Sequence, residues 1–166
     1  MPSLGRLHLI TDTRPGHDPL GLLRAVRQLA GPDLVVQVRV GDDATDRQTY
    51  ALATRIGALL AGTGATLLVN DRLHVALAVG AAGGHVGADD LPVAAARRVL
   101  GPDAVLGATA RTPADAVAAA GAGASYLGVG PCYATDTKTG LPPPIGAAGV
   151  RRVAGTVDLP VIAIGG

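Results

Sequence analysis

Ser125-Tyr126-Leu127-Gly128-Val129-Gly130-Pro131-Cys132-Tyr133-Ala134-Thr135-Asp136-Thr137-Lys138 opens as a short apolar run and closes as a polar loop. The run reads as a buried strand, and its glycines with Pro131 stop it and bring the backbone close to whatever sits at its end. Past the stop, two threonine hydroxyls can donate to phosphate oxygens while the Lys138 ammonium balances their charge. A surface turn uses the same residue types. What stands at the ends of the other strands therefore decides between the two.

Outward from this loop one arrangement repeats. Leu7–Ile10, Leu34–Val38, Thr66–Val69, Gly84–Val86, Ala104–Leu106, Tyr126–Val129 and Val161–Ile164 read as buried strands. Between them, Pro19–Ala30, Asp46–Ala61, Arg72–Val79, Pro92–Leu100, Pro113–Ala120 and Gly146–Ala154 have helical composition, with Pro92 and Pro113 where proline favours a helix start. Strand, helix, strand in this order calls for parallel pairing through right-handed crossovers. The expected class is α/β, as a sheet or a (β/α) barrel. No linker divides the chain, and Leu141-Pro142-Pro143-Pro144 reads as a stiff loop, so residues 1–166 are expected to form one domain.

Composition narrows the partners. Lys+Arg 14 against Asp+Glu 13 leaves a formal charge of +1, spread without a basic block, so no nucleic acid partner is expected. Aromatic residues make up 2 %, with no Trp or Phe, which removes stacking platforms and leaves Ala, Val, Leu and Ile to build the core. The single cysteine, Cys132, has no internal disulfide partner and reads as a small loop residue, in keeping with a reducing compartment. The longest apolar run, around Val75 to Gly84, is well short of the roughly 20 residues of a membrane span, and the N-terminus lacks a basic-then-apolar signal pattern. A cytoplasmic protein with no membrane association is expected.

The polar residues then fall into a pattern. Thr11-Asp12 follows the first strand, Arg39 the second, Asn70-Asp71 the third, Asp90 the fourth, Thr109 the fifth, and the Thr135–Lys138 loop the sixth. In a parallel barrel those ends share the face that carries chemistry. Asp71 and Asp90 suit a hard divalent cation such as Mg²⁺, which takes a few protein oxygens and completes its shell with water and phosphate. Arg39 and Lys138 supply opposing positive charge to the same polyphosphate. Taken singly, each aspartate also fits as a cap of the helix that follows it. His85 lies inside a strand motif and reads as structural, and no Ser-His or Cys-His pair offers nucleophilic catalysis.

Leu9-Ile10-Thr11-Asp12, Gln37-Val38-Arg39, Val69-Asn70-Asp71-Arg72, Gly84 to Pro92, Gly107-Ala108-Thr109, Gly130-Pro131 with Thr135-Asp136-Thr137-Lys138, and Ala163-Ile164-Gly165-Gly166 stand in a specific order and spacing. Together they resemble the thiamine phosphate synthase (thiamine-phosphate pyrophosphorylase) family over nearly the whole chain. The resemblance implies a (β/α)8 TIM barrel. It also implies a transferase that joins 4-amino-2-methyl-5-(diphosphooxymethyl)pyrimidine to 4-methyl-5-(2-phosphooxyethyl)thiazole, releasing pyrophosphate. On it, Asp71 and Asp90 match the Mg²⁺ ligands. Gln37, Arg39, Asn70, Thr109 and Lys138 match the pyrimidine diphosphate site, Thr109 standing where serine is commoner. Thr135, Asp136, Thr137 and the Gly166 backbone match the thiazole phosphate site. Arg39, Thr109 and Lys138 are the catalytic candidates. The family mechanism is dissociative: pyrophosphate leaves, and the thiazole nitrogen captures a pyrimidine methylene cation.

Two departures from the family pattern stand out. Arg39-Val40-Gly41-Asp42 lacks the lysine that usually follows two residues after the arginine, which removes one diphosphate cation. The chain also stops at Gly166, directly after the seventh strand. The expectation is a truncated barrel with half of the thiazole phosphate cradle absent and its first and seventh strands left as open edges. The 166-residue chain on its own would then be inactive or nearly so, and either aggregation-prone or dependent on association to cover the gap, and a further helix, strand and helix would restore an active protein. A thiazole tautomerase-like enzyme, and a non-catalytic or vestigial ligand-binding barrel, are the alternatives.

Overall fold

A computed structural model describes residues 4–135 and 140–165, with the side chains of residues 28 and 29 left out. Seven strands alternate with six α-helices among the described residues: β1 Leu7–Ile10, α1 Pro19–Ala30, β2 Leu34–Val38, α2 Asp46–Leu60, β3 Thr66–Asn70, α3 Leu73–Ala78, β4 Gly83–Val86, α4 Val93–Leu100, β5 Val105–Ala110, α5 Pro113–Gly121, β6 Tyr126–Val129, α6 Gly146–Ala154 and β7 Val161–Ala163. The class is α/β, of the (β/α)8 TIM-barrel kind, with seven parallel strands present. The chain divides into two compact units, Met1–His85 and Val86–Gly166.

In the first unit, β1 to β4 pair in parallel in chain order: Ile10 lies beside Gln37, Val38 beside Val69, and Asn70 beside His85. β2 is buried along its whole length, and Leu34, Val35, Val36 and Val38 are fully enclosed. A parallel strand covered on both faces needs such a run, and each of these side chains contributes about 1.5–3 kcal/mol by leaving water. α2 lays Ala53, Ile56 and Leu60 inward at helical spacing. It starts at a capping box, in which Thr45 and Gln48 satisfy each other's backbone N–H groups. Asp18 caps α1, accepting from the Leu20 N–H at 3.0 Å, with Pro19 in the first turn.

In the second unit, β5, β6 and β7 pair in parallel, with Thr109 beside Gly128 and Val129 beside Ala163. Leu106, Tyr126, Leu127 and Val129 fill its core against Ala96, Ala116 and Val153 of the helices. The Arg97 guanidinium of α4 donates to the carbonyls of Gly101, Ala104 and Gly123, gathering the chain ahead of β5 and β6.

Some boundaries differ from the sequence reading. β5 runs on to Ala110, so Thr109 lies within the strand instead of after it. Gly107-Ala108-Thr109-Ala110 looks loop-like because its side chains are small, yet small side chains suit a strand covered tightly, and Ala108 and Ala110 are buried. Asn70 closes β3, Arg72 precedes α3 as its cap, and Pro92 is the cap of α4 instead of its first residue. Among the described residues, no helix is long and apolar enough to cross a membrane.

Candidate active site

The C-terminal ends of β1, β2 and β3 bring Gln37, Arg39, Asn70 and Asp71 onto adjacent strands of the first unit. Gln37 is buried at 4 % exposure, and Arg39 stands one residue beyond the Val38–Val69 pair. Thr11 ties this group together. Its N–H donates to the Gln37 carbonyl at 3.0 Å. Its hydroxyl accepts from the Arg39 N–H at 2.8 Å and donates to the Arg39 carbonyl at 2.6 Å. The side chain thus continues the β1–β2 ladder one residue past the end of β1 and fixes the backbone that carries the guanidinium. Asp12 is engaged within its own loop, where Arg14 donates to both carboxylate oxygens and His17 lies at 3.1 Å. Hydrogen bonds from the Arg14 side chain, then from its backbone, hold the Asp12 carboxyl well below the usual carboxylate range.

Asp71 has a backbone conformation unlike its neighbours. Its φ is +58°, the left-handed region that aspartate tolerates better than most residues but that still favours glycine. The Arg72 N–H donates to the Asn70 carbonyl at 2.6 Å, closing a three-residue turn about Asp71. A second such turn follows, from the Leu73 N–H to the Asp71 carbonyl at 2.9 Å. Such a conformation costs on the order of 1–3 kcal/mol and persists where surrounding contacts determine it. Two do so here. The Asp71 N–H donates to the His85 carbonyl of β4 at 2.8 Å. The Arg72 guanidinium reaches the Thr49 hydroxyl at 2.6 Å and the Ala44 carbonyl.

The second unit carries Asp90, Thr109 and the loop after β6. The Asp90 carboxylate accepts from the Gly87 N–H at 2.8 Å, closing the turn that leaves β4. Neither aspartate caps the helix that follows it: Arg72 and Pro92 occupy those positions, with no side-chain cap bond at either. The loop after β6 begins at a cis Gly130–Pro131 peptide and is laced to the end of β7. Cys132 and Tyr133 donate to the carbonyls of Ile164 at 2.7 Å and Gly165 at 2.9 Å. The packing is close enough that a Cβ at Gly130 would lie 2.2 Å from the Ile164 carbonyl oxygen, and one at Gly165 would lie 2.7 Å from Pro131. The Arg111 guanidinium spans the loop, donating to the carbonyls of Gly130 at 3.0 Å and Pro143 at 2.9 Å. Thr135 is half-buried near its middle, and Tyr133 projects outward, 62 % exposed. Asp136, Thr137, Lys138 and Gly166 lie outside the described residues.

Asp71 and Asp90 are exposed carboxylates at the ends of parallel strands. Asp71 stands in the first unit and Asp90 in the second, and the hard oxygen donors of each, taken by itself, suit Mg²⁺, which takes one or two carboxylates and fills its octahedron with water and phosphate. His85 is buried in β4 and contributes its backbone carbonyl, in keeping with a structural role. Sequence reasoning gave no role to Arg72 or Arg111. One signal was available: each stands at or just before the start of a helix. A cation there opposes the helix dipole, so its presence points to a specific hydrogen-bonding duty.

The sequence model of the TMP-TENI family, thiamine monophosphate synthase, matches residues 7–166. The chain is 69 % identical over 166 residues to a thiamine-phosphate synthase of Salinispora arenicola, covering all of this chain and 80 % of that protein. To that of Salinispora tropica it is 68 % identical, covering 99 % of this chain and 79 % of the relative. Among solved structures, a thiamine phosphate pyrophosphorylase from Pyrococcus furiosus superposes with a TM-score of 0.82 at 32 % identity, over 97 % of this chain and 75 % of the other. A match running the length of the chain, at this identity and on this fold, means that the chain belongs to the thiamine monophosphate synthase family.

Proposed function

We propose that this chain joins 4-amino-2-methyl-5-(diphosphooxymethyl)pyrimidine to 4-methyl-5-(2-phosphooxyethyl)thiazole, giving thiamine phosphate and pyrophosphate. The observation that carries this reading is the 69 % identity, over the whole chain, to the thiamine-phosphate synthase of Salinispora arenicola. Asp71 and Asp90 hold Mg²⁺, which when bound supplies positive charge against the departing diphosphate. Gln37, Arg39, Asn70, Thr109 and Lys138 bind the pyrimidine diphosphate. Thr135, Asp136, Thr137 and the Gly166 backbone bind the thiazole phosphate. Both substrates are small soluble molecules, in keeping with the cytoplasmic setting expected from the sequence.

The chemistry asks little covalent work of the protein. The bond between the pyrimidine methylene carbon and the diphosphate oxygen breaks, and its electron pair leaves with pyrophosphate. The thiazole nitrogen then donates its lone pair to the methylene carbon. Arg39 and Lys138 stabilise negative charge as it grows on the leaving group, where charge-assisted contacts accelerate the reaction most. Thr11 supports this by fixing the Arg39 backbone through two hydrogen bonds. No side chain has to attack, and none has to remove a proton.

Incubating the chain with both substrates and Mg²⁺ is expected to yield thiamine phosphate and pyrophosphate in equal amounts. Isomerisation of a thiazole carboxylate with no pyrophosphate released would overturn this reading in favour of a tautomerase, and substrate binding with no turnover, in the chain extended by a further helix, strand and helix as well, would replace it with a binding role.

A further inference from the structure

We infer that Arg72 is a positioning residue for the Asp71 carboxylate. The inference rests on the reading of Asp71 as a cation ligand and extends it to how that ligand is held. Asp71 sits at φ +58° between two successive three-residue turns, so the torsions at Asp71 and Arg72 are coupled. On one side the turn is fixed by the 2.8 Å bond from the Asp71 N–H to the His85 carbonyl. On the other side it is fixed only if Arg72 is anchored, and Arg72 is anchored strongly. One guanidinium nitrogen donates to the Thr49 hydroxyl at 2.6 Å and lies 3.6 Å from the Asp46 carboxylate, and another donates to the Ala44 carbonyl.

Those acceptors belong to the segment that follows Arg39: the loop after β2 and the first turn of α2. Arg72 therefore ties the turn that bears Asp71 to the segment that follows Arg39, within one unit. A planar guanidinium meeting two acceptors fixes a direction, which a single ammonium point charge does not. The helix gives no reason for a cation at this place, since Arg72 caps the positively polarised end of α3. The reason is the anchor, and what it holds is the direction of the Asp71 side chain.

Mn²⁺ shares the oxygen preference of Mg²⁺ and is visible by electron paramagnetic resonance, so its binding to the full chain can be read without turnover. Arg72→Met is expected to weaken Mn²⁺ binding by about 10–100-fold, the usual effect of losing a group that orients a metal ligand. The Mg²⁺ concentration for half-maximal turnover should rise in parallel, with KM for the thiazole phosphate unchanged. Arg72→Lys should recover only part of the loss. Thr49→Val, which removes a hydroxyl acceptor far from Asp71 in sequence, should shift Mn²⁺ binding in the same direction by less. Arg72→Met with wild-type Mn²⁺ affinity, or Arg72→Lys indistinguishable from wild type, would overturn the inference. If Arg72→Met does not fold, Thr49→Val decides, and unchanged affinity there overturns it. Asp71→Ala separates the two layers. Unchanged Mn²⁺ binding in that variant overturns the ligand reading itself; loss there with none in Arg72→Met overturns only the positioning role.

Discussion

At the scale of single residues, the proposed roles of Lys138 and Thr135 can be told apart by where in the reaction each is felt. Lys138 is proposed to meet charge that is largest as pyrophosphate departs, whereas Thr135 is proposed to hold a phosphate that does not change. Lys138→Ala should lower the single-turnover rate, by about 100-fold or more if it acts as a transition-state charge partner, with less effect on thiazole phosphate affinity. Thr135→Ala should show the opposite bias. Rates measured against the concentration of each substrate check this, and an effect of Lys138→Ala confined to thiazole affinity would reverse the two assignments. Asp71 shows what a sequence conceals at this scale. Asn70-Asp71 announced a polar strand end, but aspartate serves equally as a cap, a turn residue or a ligand. Its left-handed φ depends on carbonyls that arrive from β4 and from Asn70 only once the chain has folded. The Thr11 hydroxyl, hydrogen-bonded to a residue 28 positions away, was hidden for the same reason.

At the scale of elements, the loop after β6 is held by backbone proximity. With 2.2 Å between a Cβ at position 130 and the Ile164 carbonyl oxygen, Gly130→Ala must push β7 away or break the 2.7 Å bond from Cys132 to Ile164. A stability loss of about 1–3 kcal/mol is expected, as for other overpacking changes, together with weaker thiazole phosphate binding. Urea unfolding and substrate titration of the variant measure both. α5 offers a separate handle. Its capping box pairs Thr112 with Asp115, whose carboxylate also accepts from the Arg111 N–H at 3.2 Å. Partial burial pushes the Asp115 carboxyl up, but hydrogen bonds from the Thr112 side chain and backbone and from Arg111 outweigh it, leaving the group below the ordinary 3.8. A carboxyl depressed in the folded state adds stability that is full above its unfolded pKa and fades as pH falls through the folded one. Thr112→Ala should therefore cost about 0.5–2 kcal/mol at neutral pH. The difference from wild type should narrow below pH 3.8, which denaturation curves at a series of pH values would show. The elements themselves were readable in advance because proline and capping residues mark helix starts and unbroken aliphatic runs mark covered strands. β5 escaped in part: Ala and Gly carry little periodic signal, so its second half passed for a loop.

At the scale of the whole molecule, the class could be read from alternation alone, since strand, helix, strand in regular succession admits few topologies. The assignment to a family needed more, namely seven short motifs in a fixed order, and the family match spans residues 7–166. What alternation cannot convey is how the loops are fastened, because the fastenings are arginines reaching backbone carbonyls 19 to 32 residues away. The aliphatic, aromatic-poor core has one more consequence. The chain has three tyrosines and no tryptophan. Tyr126 is enclosed at 1 % exposure, Tyr50 stands on α2, and Tyr133 projects from the loop proposed to receive the thiazole phosphate. With no indole to outshine it, Tyr133 contributes visibly to the emission of the three phenols, and a ligand arriving beside that loop would perturb its share with no label attached.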